Sequence, residues 1–274
     1  MTEQRILVTG AAGRIGRELR PRLARAGRTL RLLDVAELEP AGSEENVETV
    51  QASFTDQDAI DAACQDVDAV LHLGGLAGET SWERIADINI DGTRRILEAV
   101  RKQGVSRVVL ASSIHAAGFH TRDDAVDGAL PANVPSRPDT YYGVSKAAIE
   151  ALGSLYHSRF GVDVTCLRIG AFRPRPLAPE DLAAWLSPGD AARLVEACLH
   201  AEPTAFRVLW GISHNTRRWW SLTEAEAIGY RPEDDAEHHL ASILGSGAFG
   251  PTDLDPVEPR NFLVGACFCT MPLG

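Results

Sequence analysis

A glycine-rich turn near the start of the chain constrains the fold more than any other feature. The segment V-T-G-A-A-G-R-I-G joins a short apolar run at 6–9 to an amphipathic stretch at 15–26, which predict a strand and a helix. Gly10 permits a tight turn, Gly13 lets backbone N–H groups approach a pyrophosphate, and Gly16 lets the helix pack close to the strand. Because the helix N-terminus then faces the anion, the turn predicts a dinucleotide site. The remaining predicted contacts of the turn are Ala12, Arg14 and Ile15.

Strand-like and helix-like segments alternate along the first 170 residues. This alternation predicts an α/β fold of the Rossmann type, a doubly wound parallel sheet with helices on both faces. The further apolar runs lie at 30–34, 69–73, 107–111 and 163–169, and the further amphipathic stretches lie near 57–64, 85–104 and 142–160.

The pattern changes beyond Gly170. A proline-rich stretch, R-P-R-P-L-A-P, precedes mixed helical and strand pieces and the aromatic pair Trp219 and Trp220. We therefore predict a dinucleotide-binding Rossmann domain at 1–170. A small substrate-binding lobe at 171–274 is expected to fold over the mouth of the sheet, within one compact unit.

The acidic composition disfavours several kinds of partner. The formal net charge is -11 and no basic stripe interrupts it, which argues against nucleic acid and anionic membrane surfaces. No apolar run approaches the roughly 18 residues of a membrane span, and the N-terminus enters a strand pattern without a signal segment, which favours a cytoplasmic location. The five cysteines predict neither a disulfide framework nor a metal site. The oligomeric state is left open, a homo-oligomer included.

A carboxylate follows the second predicted strand. Asp34 stands at about the distance from the glycine turn at which an acidic side chain accepts hydrogen bonds from ribose hydroxyls. A 2′-phosphate would be repelled by Asp34, and Glu37 and Glu39 follow without an arginine in that loop, so NAD is favoured over NADP. Arg14, inside the glycine turn, favours NADP instead. The alternative for Asp34 is an ordinary loop aspartate.

A tyrosine and a lysine stand four residues apart in Y-Y-G-V-S-K at 141–146. Lys146 is one of only two lysines among 27 basic residues, and the spacing places it on one helix face with Tyr142. A phenol titrates near 10, and a nearby cation is expected to lower the pKa of Tyr142 by roughly 1–3 units. We predict that Tyr142 is a base, activated by Lys146, whose ammonium also donates to ribose hydroxyls. A helix-surface pair is the alternative.

Two serines complete the set at the end of the predicted strand at 107–111. Ser112 and Ser113 end V-V-L-A-S-S, at the sheet edge where ligands of such folds bind. With the glycine turn and Tyr-x-x-x-Lys, this order resembles the extended short-chain dehydrogenase/reductase family, of the NAD-dependent epimerase/dehydratase-like kind. The segments that look most like uronate dehydrogenases are H-L-G-G at 72–75, A-S-S-x-H at 111–115, Y-G-V-S-K at 142–146, L-R-I-G at 167–170 and V-L-W-G with the later W-W.

The resemblance implies an activity and a set of cofactor contacts. Uronate dehydrogenases oxidise the anomeric hydroxyl of galacturonate or glucuronate with NAD and give a lactone. By that resemblance Ser113, Tyr142 and Lys146 are the catalytic residues: Ser113 orients the substrate hydroxyl, Tyr142 removes its proton, and hydride passes to the nicotinamide. The implied cofactor contacts beyond the glycine turn and Asp34 are Ser53, Phe54, Leu73, Gly74, Gly75, Asn89, Ser112, Tyr142, Lys146 and Ile169.

The resemblance weakens where the substrate should sit. Uronate dehydrogenases use serine, asparagine, serine and a carboxylate-binding arginine at the positions that here are Ala77, Ile114, Ala171 and Glu180. A carboxylate in place of that arginine would repel a uronate. The other predicted substrate contacts are Ser113, His115, Tyr142, Arg173 and Arg175, and the two arginines could offset Glu180.

Three functions remain open from the sequence. The favoured one is an NAD-dependent oxidoreductase that oxidises a hydroxyl of a sugar or sugar-acid-like small molecule, whether or not uronates are still accepted. A nucleotide-sugar epimerase or dehydratase shares the same catalytic residues, but no basic and aromatic cluster for a nucleotide diphosphate is evident after Gly170. A non-catalytic dinucleotide-sensing protein is disfavoured because sensing needs no activated phenol.

Overall fold

Parallel strands form the centre of the fold in this computed structural model, which describes residues 4–43, 45–203 and 205–274. Within those residues the strands are β1 Gln4–Thr9, β2 Arg28–Asp34, β3 Val47–Gln51, β4 Ala69–His72, β5 Arg107–Ser113, β6 Asp163–Ile169, β7 Ala171–Phe172, β8 Trp185–Leu186 and β9 Phe206–Gly211. Seven of them pair in the parallel order β3-β2-β1-β4-β5-β6-β9, and β7 pairs with β8 apart from this sheet. The predicted doubly wound sheet is confirmed, and its strand order reverses between β1 and β4, where such folds bind ligands.

Helices connect the strands and cover the sheet. The α-helices of the described residues are α1 Arg14–Leu23, α2 Gln57–Ala63, α3 Trp82–Arg84, α4 Gly92–Gln103, α5 Tyr141–Phe160, α6 Asp181–Ala184, α7 Pro188–His200, α8 Thr223–Ala227, α9 Leu240–Gly245 and α10 Pro259–Phe262. A π-helical turn at Ile85–Asp91 runs into α4, where the sequence pattern predicted a single helix. Short 3₁₀ turns include Ile114–Ala117 and Ala266–Thr270. Among the described residues, no helix has both the length and the apolar character of a membrane span.

Both faces of the sheet are buried. Successive residues of β1 enter different cores: Ile6 and Val8 pack with residues of α1 and α7, and Leu7 packs with residues of α2 and α4. A parallel strand covered on both sides needs a continuous apolar run. The apolar runs therefore located these strands correctly in the sequence.

The chain after residue 170 adds a strand to the sheet as well as covering the edge where the parallel strands end. β9 pairs with β6 from Val164↔Phe206 to Ile169↔Gly211. α7 packs on α1 and carries Glu196, which forms an ion pair with the buried Arg28 of β2. The predicted division at residue 170 therefore runs through the Rossmann sheet itself. No sequence pattern indicated this, because β9 is an edge strand in which only the last three residues are buried.

Candidate active site

A cleft of about 440 Å³ opens at the carboxyl ends of the central strands. It runs from the glycine turn, past the ends of β4, β5 and β6, to the 3₁₀ turn at 266–270. The predicted residues that line it are Arg14, Ile15, Leu73, Gly75, Ala77, Ser112, Ser113, Ile114, His115, Tyr142, Lys146, Ile169, Ala171, Arg173 and Glu180. The predicted residues outside its lining are Gly10, Ala12, Gly13, Gly16, Asp34, Ser53, Phe54, Gly74, Asn89 and Arg175.

The glycine turn is held in place by close backbone approaches. Gly10 has a φ of +68°, and a Cβ there would lie 2.6 Å from the backbone N of Gly74. A Cβ at Gly16 would lie 2.5 Å from a backbone oxygen of the same turn. The Asp34 carboxylate accepts a hydrogen bond from the backbone N of Ala12, at 2.9 Å. The end of β2 is thereby tied to the turn, as a site for an adenosine ribose and a pyrophosphate requires.

Phe54 supports the cleft from behind. A Cβ at Gly74 would lie 2.7 Å from the Phe54 ring, and one at Gly92 would lie 2.5 Å from it. The ring also packs edge to face on His72, with 5.3 Å between ring centres. The neighbouring Ser53 hydroxyl forms a 2.7 Å hydrogen bond with another side chain of its own loop. Phe54 thus fixes the loop after β4, and direct contact of Ser53 and Phe54 with a cofactor stays a prediction.

Asn89 positions the same loop through its amide. Its Oδ1 accepts from the Leu76 N at 2.8 Å, and its Nδ2 donates to the Leu76 O at 3.1 Å. The Nδ2 also donates to the Ser145 hydroxyl of α5, at 3.0 Å. The π-helical turn carries this side chain to the loop, so Asn89 links two walls of the cleft without lining it.

Tyr142 and Lys146 lie on one face of the first turns of α5. The Thr140 hydroxyl accepts from the Gly143 N and fixes where this helix begins. The Lys146 Nζ lies 5.4 Å from the centre of the Tyr142 ring and donates to the Ala111 carbonyl at 2.6 Å. Both side chains are almost fully buried, at 8% exposure for Tyr142 and 7% for Lys146. The spacing therefore brings phenol and ammonium together at the floor of the cleft.

Burial has the largest effect on the pKa values of Tyr142 and Lys146. It raises the pKa of Tyr142 to about 12, although a hydrogen bond with the Ser113 side chain lowers that pKa in part. It lowers the pKa of Lys146 to about 8, against the opposing effect of the Glu150 charge. The expectation of a lowered Tyr142 pKa is wrong for this structure. The reason is that the ammonium lies over the ring and on the Ala111 carbonyl, while the phenol is desolvated.

A buried ion pair lies beneath α5. Arg168 of β6 donates to both oxygens of Glu150 of α5, at 2.9 and 2.8 Å. The Ser112 hydroxyl donates to the same carboxylate at 2.6 Å. Ser112 is thereby engaged by this network, and Ser113 is the serine whose hydroxyl meets Tyr142. A satisfied network of this kind stiffens the strand ends that carry the site.

His115 is oriented by partners that the sequence did not indicate. Its Nδ1 lies 2.7 Å from the buried Asp139 carboxylate, so a neutral ring carries its proton on Nδ1 and keeps Nε2 as an acceptor. The Phe268 ring stacks on it, with 3.9 Å between ring centres, and the Tyr142 ring meets its edge at 5.7 Å. No spacing rule connects Asp139 or Phe268 with His115, and only the folded chain brings them together.

The substrate end of the cleft holds buried polar atoms without partners. In the described part of the chain these include the Arg173 Nε, the Glu180 Oε2 and the Trp220 Nε1, all on residues of the cleft lining. Arg173 also pairs with the buried Asp181 through its Nη1, at 3.3 Å. Arg175 is exposed and lies outside the lining. Neither arginine therefore neutralises Glu180.

Sequence reasoning missed several residues of the lining. The pair Trp219 and Trp220 was noted only as an aromatic run, although the two rings stack at 4.9 Å and both line the cleft. The segment from α10 onward carried no recognisable signal. The other missed residues include Leu76, Phe172, Asp181, Arg260, Asn261 and Phe268.

The fold and this geometry define an enzyme of the NAD-dependent short-chain dehydrogenase/reductase class. The chain belongs to the NAD dependent epimerase/dehydratase family, which matches residues 6–173. The predicted class of enzyme and its cofactor, NAD, are confirmed by this match and by the relatives that follow.

Three similar proteins give the comparison more detail. A uronate dehydrogenase of Agrobacterium fabrum is 39% identical and covers 98% of both chains. The crystal structure of a mutant uronate dehydrogenase from Agrobacterium tumefaciens, complexed with NAD, superimposes with a TM-score of 0.88 at 36% identity and covers 99% of this chain and 98% of the other. An L-arabinose 1-dehydrogenase (NAD(P)(+)) of Haloferax volcanii is 35% identical over 85% of this chain and 97% of its own. The predicted resemblance to uronate dehydrogenases is confirmed.

Proposed function

We propose that this protein is an NAD-dependent dehydrogenase that oxidises one hydroxyl of a monosaccharide to a carbonyl group. The observation that carries the proposal is the buried Tyr142, which lies beside Lys146 at the floor of a cleft that Ser113 also lines and that reaches the glycine turn. The relatives named for uronate and L-arabinose oxidation point to the anomeric hydroxyl as the reacting group.

Each residue of the triad has a separate task in this reaction. NAD⁺, when bound, supplies the acceptor for the hydride that leaves the carbinol carbon. Ser113 hydrogen-bonds the substrate hydroxyl, and the Tyr142 oxygen takes its proton. Lys146 uses one of its three N–H donors on the Ala111 carbonyl, which leaves two for ribose hydroxyls, and its charge favours the phenolate. The carbonyl product forms as proton and hydride leave.

The unpartnered atoms of the lining favour a substrate rich in hydroxyl groups. The Arg173 Nε and Trp220 Nε1 are donors, and the Glu180 Oε2 is an acceptor. A buried polar atom without a partner costs about 1–3 kcal/mol, which a hydrogen bond to substrate would recover. Sugar hydroxyls both donate and accept, so a monosaccharide can satisfy all three.

The charge of Glu180 argues against a uronate as the best substrate. A substrate carboxylate about 4 Å from Glu180 would be opposed by about 4 kcal/mol at an effective dielectric constant of 20, and by less where water screens the pair. Arg173 is already engaged by Asp181, and Arg175 is outside the cleft. We therefore expect a neutral or amine-bearing sugar to be preferred.

Steady-state NADH formation with galacturonate, galactose and galactosamine tests the substrate class. We expect kcat/KM to be lowest for galacturonate, and Glu180→Gln to raise the galacturonate value by about tenfold or more. Glu83→Gln, at an exposed position outside the cleft, is the matched control and should change nothing. The highest kcat/KM on galacturonate would show that Glu180 does not face the substrate's carboxylate position.

Replacing the base tests the mechanism. Tyr142→Phe should lose turnover by about 10²–10⁴-fold, the usual contribution of a positioned base, while NAD binding measured by calorimetry stays within about threefold. Near-full turnover in this variant would remove Tyr142 as the base. Parallel loss of NAD binding would show that the phenol holds the cofactor instead.

A nucleotide-sugar epimerase is the second candidate, and one contact favours it. The Arg122 guanidinium lies 5.2 Å from the centre of the Trp219 ring, so a basic and aromatic contact does adjoin the cleft, which the sequence did not show. An epimerase keeps its NADH through turnover, whereas a dehydrogenase releases it. One NADH released per sugar consumed supports the dehydrogenase, and conversion of a UDP-sugar without net NADH supports the epimerase.

A further inference from the structure

A second pocket, of about 340 Å³, adjoins the cleft. Ala183 and Asn261 line both spaces. Three arginines, Arg122, Arg217 and Arg218, line the second pocket. Among its described lining residues no acidic side chain appears, although the whole chain carries a net charge of -11.

Arg122 is a partly buried cation without a carboxylate partner. Its Nε donates to the Asn261 carbonyl at 2.9 Å, and its guanidinium packs over Trp219. No ion pair involves it in the described part of the chain. Burial lowers the pKa of Arg122, as expected for a cation that is desolvated without a compensating anion. Its remaining N–H donors are available to a ligand.

Arg218 also has no carboxylate partner among the described residues, whereas Arg217 has one. The Arg218 Nη1 donates to the Asn215 carbonyl at 3.0 Å, and no acidic group of the described residues pairs with it. Arg217 forms a two-pronged ion pair with Glu237, at 2.7 and 2.9 Å, which neutralises it. The pocket therefore holds two uncompensated positive charges.

We propose that the pocket bounded by Arg122 and Arg218 binds the phosphate group of a phosphorylated ligand. A phosphate monoester carries about -1.5 to -2 charges at pH 7, which matches two guanidiniums, whereas a carboxylate matches only one. Guanidinium forks bind phosphate oxygens in pairs. The apolar walls contributed by Pro179, Leu182 and Leu254 limit water around the anion and strengthen these contacts.

The position of the pocket suggests where the phosphate comes from. Trp219, on which Arg122 packs, and Asn261, to which it donates, both line the catalytic cleft. A phosphate on a sugar carbon remote from the reacting one would therefore enter the pocket while the sugar occupies the cleft. This assignment of the source depends on the proposed dehydrogenase function, but the phosphate site itself does not.

Binding of inorganic phosphate to the full chain tests the site without turnover. By calorimetry we expect phosphate to bind the unmodified protein, Arg218→Gln to weaken it about tenfold, and Arg122→Gln with Arg218→Gln to weaken it about a hundredfold. Arg159→Gln, an exposed arginine at the end of α5 outside both pockets, is the matched control. Arg218→Gln keeps the Arg122 packing and tests the site even where the double variant folds poorly. Absence of binding, or binding that both variants leave unchanged, overturns the proposal.

The source of the phosphate is decided by comparing glucose with glucose 6-phosphate. A kcat/KM at least tenfold higher for the phosphorylated sugar, lost in Arg218→Gln, places the phosphate on the substrate. Equal values for the two sugars, with phosphate binding intact, assign the pocket to a free phosphate ion. No turnover of any sugar, with phosphate binding intact, would refute the dehydrogenase function and leave the phosphate site standing.

Discussion

Lys146 combines a position in the proposed catalytic triad with a buried charge that has no carboxylate in direct contact. Its ammonium is held by one carbonyl, that of Ala111, and the largest influence that opposes the effect of burial on its pKa is the Glu150 charge. A lysine in such surroundings destabilises the folded chain, and the role proposed for it in the reaction accounts for that cost. The same desolvation raises the pKa of Tyr142, so catalysis depends on how far the charge of Lys146 favours the phenolate when substrate is bound.

Lys146→Met should raise the free energy of unfolding at pH 7 and abolish turnover. The folded pKa of Lys146, about 8, lies below its unfolded value of 10.5, so burial of the charge costs up to about 3 kcal/mol below pH 8. This penalty disappears as the pH rises toward 10.5. The loss of a donor to Ala111 offsets part of the gain, which leaves about 1–2 kcal/mol.

Denaturant unfolding at pH 7 and pH 9.5 measures the effect. The advantage of Lys146→Met over the unmodified protein should shrink at the higher pH. Lys102→Met, at an exposed lysine, serves as the control and should show no such gain. A variant less stable than the unmodified protein at pH 7 would show that Lys146 is compensated in the folded state.

The four-residue spacing predicted the contact between Tyr142 and Lys146, but it did not predict the direction in which their pKa values shift. The interval of four residues fixes which side chains share a helix face. The pKa of each residue depends on how much water the surrounding elements exclude. Those elements are β5, the 3₁₀ turn at Ile114–Ala117 and the 266–270 turn. Burial of this kind leaves no local pattern in the sequence. The prediction of a lowered pKa for Tyr142 was therefore wrong.

At the scale of elements, the five central strands β1, β2, β4, β5 and β6 were predictable, whereas β3, β9 and the segment after α10 were not. Apolar runs define buried parallel strands by themselves, as β6 at Asp163–Ile169 shows. The chain around the 266–270 turn is held at the site by backbone donors instead. The Gly265 N donates to the Gly118 O at 2.9 Å, and the Gly274 N donates to the Glu79 carboxylate, which also accepts from the Tyr142 N. Such contacts require close approach rather than a residue pattern.

Gly265→Ala should displace this turn and weaken sugar binding. A Cβ at Gly265 would lie 2.0 Å from the Asp139 Oδ2 and 3.0 Å from the Cys269 Sγ, although the φ of -81° is one that alanine adopts freely. Displacement removes Phe268 from the His115 ring, so KM for the sugar should rise about tenfold or more while the NAD affinity stays constant.

Gly245→Ala is the matched control, because a Cβ there meets nothing within 4 Å. Both kinetic constants should be unchanged in that variant. An unaltered KM in Gly265→Ala would mean that the 266–270 turn only covers the site and does not shape it.

At the scale of the whole molecule, the segments before and after residue 170 share one core. Leu194 and Val195 of α7 and Leu209 and Trp210 of β9 are buried with Leu19 of α1. Burial of each such side chain stabilises by about 1.5–3 kcal/mol, so the four from α7 and β9 contribute roughly as much as the whole net stability of a domain, about 5–15 kcal/mol. The two parts should therefore fold together.

A fragment ending at residue 170 should neither unfold cooperatively nor bind NAD, even though it carries the glycine turn, Asp34, Tyr142 and Lys146. It exposes the edge of β6 that pairs with β9 and the face of α1 that packs on α7. A fragment ending at residue 211 restores both contacts and should recover a cooperative transition, at a lower midpoint than the full chain. Circular dichroism during urea titration and NAD titration by calorimetry measure the three chains side by side. If the shorter fragment bound NAD with the affinity of the full chain, residues 1–170 would be an independent domain and the shared core would be dispensable for cofactor binding.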